Sequence, residues 1–385
     1  MAKPISYTID RAHDITDEIL AQLEIAIAEQ YAIAEQEIAE TLEEYLEKHL
    51  AKDKIWLEAV QDGKKTRKEY LEWKRGQTLA GGRWAMLRDT IALEMTKTNQ
   101  IAKEIAYGMM PTIYALNFNY GTYQVEKASG INTLFTLYNK DAVSLLFDKE
   151  DKLYHKAGIK LSRKIALNKD LKWNKQQIQS IMMQGILQGE SIPHLATRLQ
   201  MNASQPFDIT DIKNAHKKTA EQIAQELAQK NRNAAIRNTR SMTTYVENKG
   251  RENAYKRAED LGVDCMKVWA ATYDNRTRHA HRVLNGQKVP VDEKFQVDGY
   301  EISEPGDPEA PGYLYYNCRC RLEVEYAGFE RKRGVKTYYD EDRMGMTYDE
   351  WLKAKPESQR ITHQDEVAQA MKYAYSAEYR RMKRK

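Results

Sequence analysis

The feature that most constrains the fold is a long amphipathic stretch from Asp17 to Leu50. Its apolar residues recur at alternating steps of three and four positions, which is the spacing of one face of an α-helix. They are Leu20, Leu23, Ile27, Tyr31, Ala34, Ile38, Leu42 and Tyr45. A helix of this length extends roughly 50 Å. The pattern therefore predicts an elongated helix that packs in a bundle or a coiled coil.

Charge is spread unevenly along the chain, although the formal net charge is only +4. From Asp17 to Glu47 there are ten acidic residues and no Lys or Arg. The last six residues carry five basic side chains, which are Arg380, Arg381, Lys383, Arg384 and Lys385. Both segments are interpretable as solvated faces, or as contacts to different partners, in which case the basic tail is a candidate nucleic-acid contact.

The composition favours extended helices over one compact globule, because 30% of the 385 residues are charged. No apolar run approaches the roughly 18 residues that a membrane span needs. The segment Met1–Asp10 lacks the apolar core of a signal peptide, so we expect a cytoplasmic protein without membrane contact. Three cysteines, two of them separated by one residue, argue against a disulfide framework.

Several breaks divide the helical part of the chain. Gly63 is expected to end the first helix, and a second helix is predicted over Lys65–Arg75. A third is predicted from Trp84 to about Tyr107, with Pro111 ending it because proline lacks the N–H and clashes with the preceding turn. The aromatic, glycine-containing segment Asn117–Tyr123 is predicted to be a loop.

The middle of the chain continues as helices. Residues 131–165 read as helices with weak boundaries, and Trp173–Arg198 reads as two helices joined near Gly189. The second of these carries one basic residue, which favours packing over a DNA-recognition helix. One or two long helices are predicted over Asp208–Leu261, ending at Gly262. A further helix is predicted from about Thr362 to Arg384.

The segment Trp269–Arg321 has a different chemistry, since it holds two of the three cysteines, two of the eight histidines and many arginines. Met266–Thr272 is predicted to be a strand, and Asp274 is predicted to cap a short helix that runs to about Leu284. Further predicted pieces are an Asn285–Gly286 turn, extended stretches at Val289–Val291 and Phe295, a Ser303–Gly312 loop, and strands at Tyr313–Tyr316 and Arg321–Tyr326.

The order D-x-R-T-R-x-x-H, L-N-G, a lone Phe, a Pro/Gly loop and N-C-R-C resembles the Mu F-like phage head morphogenesis family. The matching residues are Asp274, Arg276, Thr277, Arg278, His281, Gly286, Phe295, Asn317, Cys318, Arg319 and Cys320. The resemblance covers roughly Arg232 to Tyr326. It implies a minor capsid protein of a phage or prophage that acts in head assembly. It also implies binding to portal, capsid and scaffold proteins, contact with packaged DNA, and a place in the virion after assembly in the host cytoplasm.

A metal site is one interpretation of the same segment. On an extended chain Cys318 and Cys320 point to one face, and His281 adds a third donor of the type that zinc prefers. Cys265 or Asp274 is a candidate fourth ligand. No cofactor is certain from the sequence, and zinc is the candidate. The alternative is a buried histidine bonded to the backbone beside two small core cysteines. Since residues 279 and 281 lie about 200° apart on a helix, only one of the two histidines can face the site.

The arginines of this segment have two interpretations, and the sequence lacks the common enzyme motifs. Arg276, Arg278, Arg282, Arg319 and Arg321 form either a structural network with Asp274, Glu301 and Glu304 or contacts to phosphates. No P-loop, dinucleotide fingerprint or nucleophile elbow is present, so we predict no enzymatic activity. The alternatives are a DNA-binding protein, or an effector or nuclease that uses the His/Cys/Arg cluster.

We predict a mainly α fold, in which a long N-terminal helical region is followed by a small α+β C-terminal domain. The expected parts are an elongated helical region over 1–261, a Mu F-like α+β domain over 262–326, and a charged helical tail over 327–385.

Overall fold

The computed structural model describes residues 10–76, 82–133, 163–183, 220–330 and 338–355. They fall into two compact units. The first unit contains the described residues within 10–26, 103–133, 236–330 and 338–355, and the second contains 27–102, 163–183 and 220–235. The predicted class is confirmed, because long helices dominate and the small antiparallel sheets lie mostly towards the C-terminus. The three-part division of the chain stays a prediction.

The long helices carry the architecture. They are α1 (Arg11–Gln61), α2 (Arg67–Gly76), α3 (Gly82–Ser129), α4 (Arg163–Met183) and α5 (Ala220–Asp260). None of the helices among the described residues is both long and apolar enough to cross a bilayer. Some predictions lie outside the described residues. They are the helices over 184–200 and 362–384, the helical residues within 134–162 and 208–219, and the basic tail.

Helix α1 confirms the amphipathic prediction and extends beyond it at both ends. Six of the eight predicted apolar positions are fully buried, namely Leu23, Ile27, Tyr31, Ala34, Ile38 and Leu42. The helix stops where predicted, because Gly63 adopts a positive φ of 69° that other residues rarely take. Thr66 and Glu69 then form a reciprocal capping box that begins α2.

The prediction that Pro111 ends the third helix is wrong, as is the predicted loop over Asn117–Tyr123. Helix α3 continues through both to Ser129. A proline inside a helix costs about 3 kcal/mol. Burial of Tyr114, Phe118 and Tyr120 outweighs that cost, since each large apolar side chain contributes about 1.5–3 kcal/mol.

Close approach of α3 and α5 explains why glycines lie inside both helices. A Cβ added at Gly250 would meet the backbone oxygen of Tyr114 at 2.7 Å. A Cβ added at Gly121 would meet the Ala254 Cβ at 2.9 Å. The glycine that suggested a loop therefore marks a contact between two helices.

A three-stranded antiparallel sheet follows α5 after Gly262, whose φ is 89°. Its strand order is β3–β2–β6, with β2 at Val263–Ala270, β3 at Lys288–Pro290 and β6 at Arg321–Phe329. The smaller pieces are the pair β1 (Ile131–Asn132) with β7 (Tyr338–Tyr339) and the hairpin β4 (Phe295–Val297) with β5 (Tyr300–Ile302). The short helices are α6 (His279–Leu284), α7 (Gly312–Tyr315), α8 (Asp342–Gly345) and α9 (Tyr348–Ala354).

Two local predictions in this region are wrong. The short helix begins at His279 rather than beside Asp274, and its N-cap residue is Arg278, whose side chain makes no capping bond. The predicted strand over Tyr313–Tyr316 is instead helix α7. There the carbonyl of Pro311 accepts from Leu314 N–H, so the backbone is satisfied by a tight turn without a neighbouring strand.

A buried carboxylate fastens the C-terminal helix α9 to α3. Glu126 is fully buried and accepts hydrogen bonds from Trp351 Nε1 at 2.6 Å and from Arg343 at 2.7 Å. Lys355 Nζ donates a third hydrogen bond to Glu126, at 3.1 Å. Since two cations share one carboxylate, this contact fixes residues 338–355 on the first unit.

Candidate metal centre and adjoining cavity

Helix α6 and the turn before β6 bring three metal-type ligands together inside the first unit. The donor atoms of His281, Cys318 and Cys320 all lie within 4.8 Å of one another. His281 Nδ1 is 3.1 Å from Cys320 Sγ and 3.6 Å from Cys318 Sγ. A tetrahedral zinc ion, with Zn–N near 2.0 Å and Zn–S near 2.3 Å, places nitrogen and sulfur about 3.5 Å apart. The donor set therefore fits zinc in both chemistry and spacing.

The orientation of the imidazole is fixed by the backbone. His281 Nε2 lies 2.9 Å from the carbonyl oxygen of Leu314. A carbonyl can only accept, so Nε2 carries the proton, and Nδ1 presents its lone pair to the two sulfur atoms in the neutral ring. A carbonyl that fixes the tautomer of a histidine is a typical support of metal ligation.

The thiols of Cys318 and Cys320 influence each other's pKa. The backbone N–H of Cys320 donates to Cys318 Sγ at 3.5 Å. Burial by itself raises the pKa of Cys318, but the hydrogen bond from Cys320, followed by the charge of His281 in its protonated form, outweighs burial and holds that pKa well below its usual range. Burial and the neighbouring Cys318 raise the pKa of Cys320 well above its usual value. Cys318 is therefore the first of the two thiols to ionise, and the backbone N–H of Cys320 stabilises its thiolate.

The other candidate ligands lie elsewhere. His279 is exposed whereas His281 is only 3% exposed, as the helical spacing predicts. Cys265 is buried on β2, and its thiol hydrogen bonds to the carbonyl of Val263, so it does not join the group. Asp274 is also outside the group, because it faces Arg319.

The signature arginines form a structural network. Arg319 makes a bidentate pair with Asp274, with both N···O distances at 2.8 Å. Hydrogen bonds from Arg319 hold the pKa of Asp274 far below its usual range. Arg278 donates to the backbone carbonyls of Tyr313 and Tyr316, which joins helix α7 to helix α6.

The acidic partners of these arginines differ in part from those expected. Arg321 pairs with Asp10 at 3.1 Å and with Glu323 at 3.2 Å. The buried Glu304 instead pairs with Lys249 at 3.3 Å. The N-terminal turn of α1 thus supplies a partner to the signature segment, over a separation that no local pattern reveals.

A cavity of about 780 Å³ adjoins the three ligand residues. His281, Cys318 and Cys320 line it together with residues from α1, α5 and α7. Its wall carries four arginines, which are Arg240, Arg276, Arg278 and Arg319. The wall also contains His13, Asp17 and Glu247, together with the phenols of Tyr313 and Tyr316.

Comparison with known proteins bears on this segment directly. Residues 176–323 match the family described as Phage Mu protein F like protein. The matched residues are similar to that family and make up less than half of the chain. The family segment begins earlier than the predicted Arg232, inside helix α4, and ends within β6.

Two relatives have names that describe different functions, one a phage head protein and the other an enzyme. The minor head protein GP7 of Bacillus phage SPP1 is 38% identical over 66 residues, which are 16% of this chain and 20% of that protein. The NAD(+)–arginine ADP-ribosyltransferase EFV of Enterococcus faecalis is 26% identical over 231 residues, which are 60% of this chain and 40% of that protein. The chain thus spans less than half the length of either relative. No solved structure matches the chain significantly.

Within the Mu F-like segment, several signature residues serve the geometry of turns. Gly286 has a φ of 79°, and Asn317 has a φ of 52°, a region in which asparagine is among the few tolerated residues. Phe295 is fully buried and packs edge-on against Trp269 with ring centroids 5.2 Å apart. These residues hold the loop and the core around the ligand group.

Helix α5 supplies the support that the sequence did not reveal. Thr244 donates to the carbonyl of Cys318 at 2.6 Å, and Asn248 donates to the carbonyl of Cys320 at 3.2 Å. The side-chain oxygen of Asn248 also accepts from Leu322 N–H at 2.7 Å. The only sequence signal is their spacing, since polar residues at i and i+4 on a buried helix face indicate a partner.

Proposed function

We propose that this protein is a minor head protein that acts in head morphogenesis of a phage or prophage. The observation that carries the proposal is the Mu F-like match over residues 176–323, which includes the whole ligand group. The relationship to the minor head protein of phage SPP1 supports it. Long helices with solvated faces suit a protein that works through surfaces, and the virion is the corresponding location.

Quantitative mass spectrometry of purified particles tests this role. We expect the chain at a few copies for each portal, in immature or mature particles from the source strain. A chain found only in the soluble cell fraction, and absent from both particle types, would contradict the proposal.

A finer proposal places the protein at the portal vertex, in contact with packaged DNA. The basic tail Arg380–Lys385 supports the DNA contact, because five cations in six residues bind phosphates through release of counterions. Affinity for double-stranded DNA should fall steeply with salt, and deleting the tail should flatten that dependence. Unchanged DNA affinity after the deletion would remove the tail from the proposal, whereas cross-linking to the portal protein tests the location separately.

We propose no enzymatic activity for this chain. The ADP-ribosyltransferase relative is matched over only 40% of its length, so most of that protein lies outside the match. The test is incubation of the purified chain with labelled NAD⁺ and an arginine-rich acceptor protein. Transfer of label to the acceptor would overturn the proposal and favour an effector role.

We propose that His281, Cys318 and Cys320 hold one zinc ion. Two sulfurs, an imidazole with a fixed tautomer and burial of 97% or more support it. Elemental analysis should find about one zinc for each chain, lost in the Cys318→Ser variant and retained in the matched Cys265→Ser control. Fully folded wild-type protein without zinc, after preparation with zinc present, would count against the site.

A further inference from the structure

The ligand group is one donor short of a closed tetrahedral site. Among the described residues, the group gathers three protein donors and no fourth His, Cys, Asp or Glu. Structural zinc sites are closed by four protein ligands, whereas sites with three keep the fourth position for water or another exchangeable ligand. The count therefore points to a position that the protein leaves to a small ligand.

The same three residues form part of the cavity wall, although each is at most 3% exposed. The cavity therefore lies directly beside the donor group. The volume of about 780 Å³ lies within the range of roughly 300–1,000 Å³ that small-molecule sites occupy. The cavity is larger than a single coordinated water requires.

The charges of the wall favour an anion. Four arginines line the cavity against two carboxylates, those of Asp17 and Glu247. His13 adds a positive charge, because its imidazole lies 2.8 Å from a Glu247 carboxylate oxygen and its pKa is about 9 despite burial. Asp274 and Glu24 pair with Arg319 and Arg240 from outside the wall, so five cations meet four anions and an excess of one positive charge remains.

We propose that the metal in this centre is open towards the cavity and takes a carboxylate as its exchangeable fourth ligand. A carboxylate oxygen is an accepted zinc donor, and it also matches the planar guanidinium groups of the wall. This inference rests on the proposed zinc site. The carboxylate comes either from a free small molecule or from an Asp, Glu or C-terminus of another protein.

The test replaces zinc by Co²⁺ in the full chain, because tetrahedral Co²⁺ has visible absorption bands that respond to a change of ligand. Titration with acetate is expected to shift these bands saturably. A short peptide with a single Glu side chain and blocked ends forms the second arm. A response to acetate alone indicates a small-molecule source, and a response to both indicates that the cavity also admits a protein carboxylate.

Two variants distinguish the effect of a charge in the cavity wall from the effect of removing any positive charge. Arg276 is 76% exposed on the wall, so Arg276→Gln should leave the Co²⁺ spectrum unchanged and weaken acetate binding about threefold. The exposed Arg257 does not line the cavity, and Arg257→Gln is the matched control that should change neither.

The outcomes distinguish the two proposals. Co²⁺ that binds with thiolate bands but ignores acetate and the peptide overturns the open position while the metal site stands. Failure to bind Co²⁺ at all overturns the metal site itself. The head role is unaffected by either result, because it is read from particles.

Discussion

Replacing Gly250 by alanine should destabilise the protein, although the same change normally stabilises a helix. In a helix interior alanine is favoured over glycine by about 1 kcal/mol. At Gly250 the new methyl group would lie 2.7 Å from the Tyr114 carbonyl oxygen and 3.1 Å from Phe118 N. Both are backbone atoms of α3, so neither can rotate away. Overpacking of this kind costs about 1–3 kcal/mol or more, and we expect a net loss of about 2 kcal/mol.

Gly108 is the matched control, since it lies in α3 and a Cβ there meets no atom within 4 Å. Gly108→Ala should therefore stabilise the protein by up to about 1 kcal/mol. Both positions belong to the first unit, and the two units need not unfold together. Hydrogen exchange of the β2 amides, read by mass spectrometry, reports on that unit alone.

In this assay Gly250→Ala should lower the protection of the β2 amides about 30-fold, which corresponds to about 2 kcal/mol. Gly108→Ala should leave protection unchanged or raise it. If Gly250→Ala equals or exceeds the wild type in protection, α3 and α5 do not approach as described. The explanation for helical residues around Gly121 would then also fail.

Two further predictions concern buried charges. Glu126→Gln should cost about 3–5 kcal/mol, because the buried Arg343 and Lys355 lose the negative charge that they share. Limited proteolysis within 338–355 should become faster, and an unchanged cleavage rate would refute the prediction. His13 has a folded-state pKa of about 9, raised above 6.5 because the attraction of Glu247 outweighs burial. Protonated His13 therefore stabilises the folded protein fully below about pH 6.5, and this contribution disappears as the pH rises through 9. The difference in unfolding free energy between wild type and His13→Gln should therefore shrink by up to about 3 kcal/mol from pH 6 to pH 10, and a constant difference would contradict the linkage.

Local patterns predicted the elements whose cause is local. The stripe of α1 follows from burial of one helix face, and Gly63 and Gly262 end helices because each adopts a positive φ. The grouping of His281 with Cys318 and Cys320 was one interpretation of the motif, beside a buried histidine bonded to the backbone near two core cysteines. The structure shows the three residues together and the backbone bond of His281, so both interpretations stay predictions.

Long-range contacts account for what the sequence did not reveal. Pro111 stays inside α3 because the surrounding residues are buried, and that burial depends on contacts far apart in the sequence. Glu126 binds Trp351 across 225 positions, and Thr244 binds the carbonyl of Cys318 across 74. A carboxylate or a hydroxyl on a helix carries no local sign of such a partner, so these contacts are legible only in the folded chain.

The signature of the Mu F-like segment therefore combines two kinds of residue that behave differently under mutation. Asp274 and Arg319 hold a loop through a bidentate ion pair, and Asn317 holds a turn through its positive φ. The Leu314 carbonyl orients the imidazole of His281, and the Nδ1 atom of that ring faces Cys320 Sγ. The turns of the segment and the donor group at its centre are thus held by different residues.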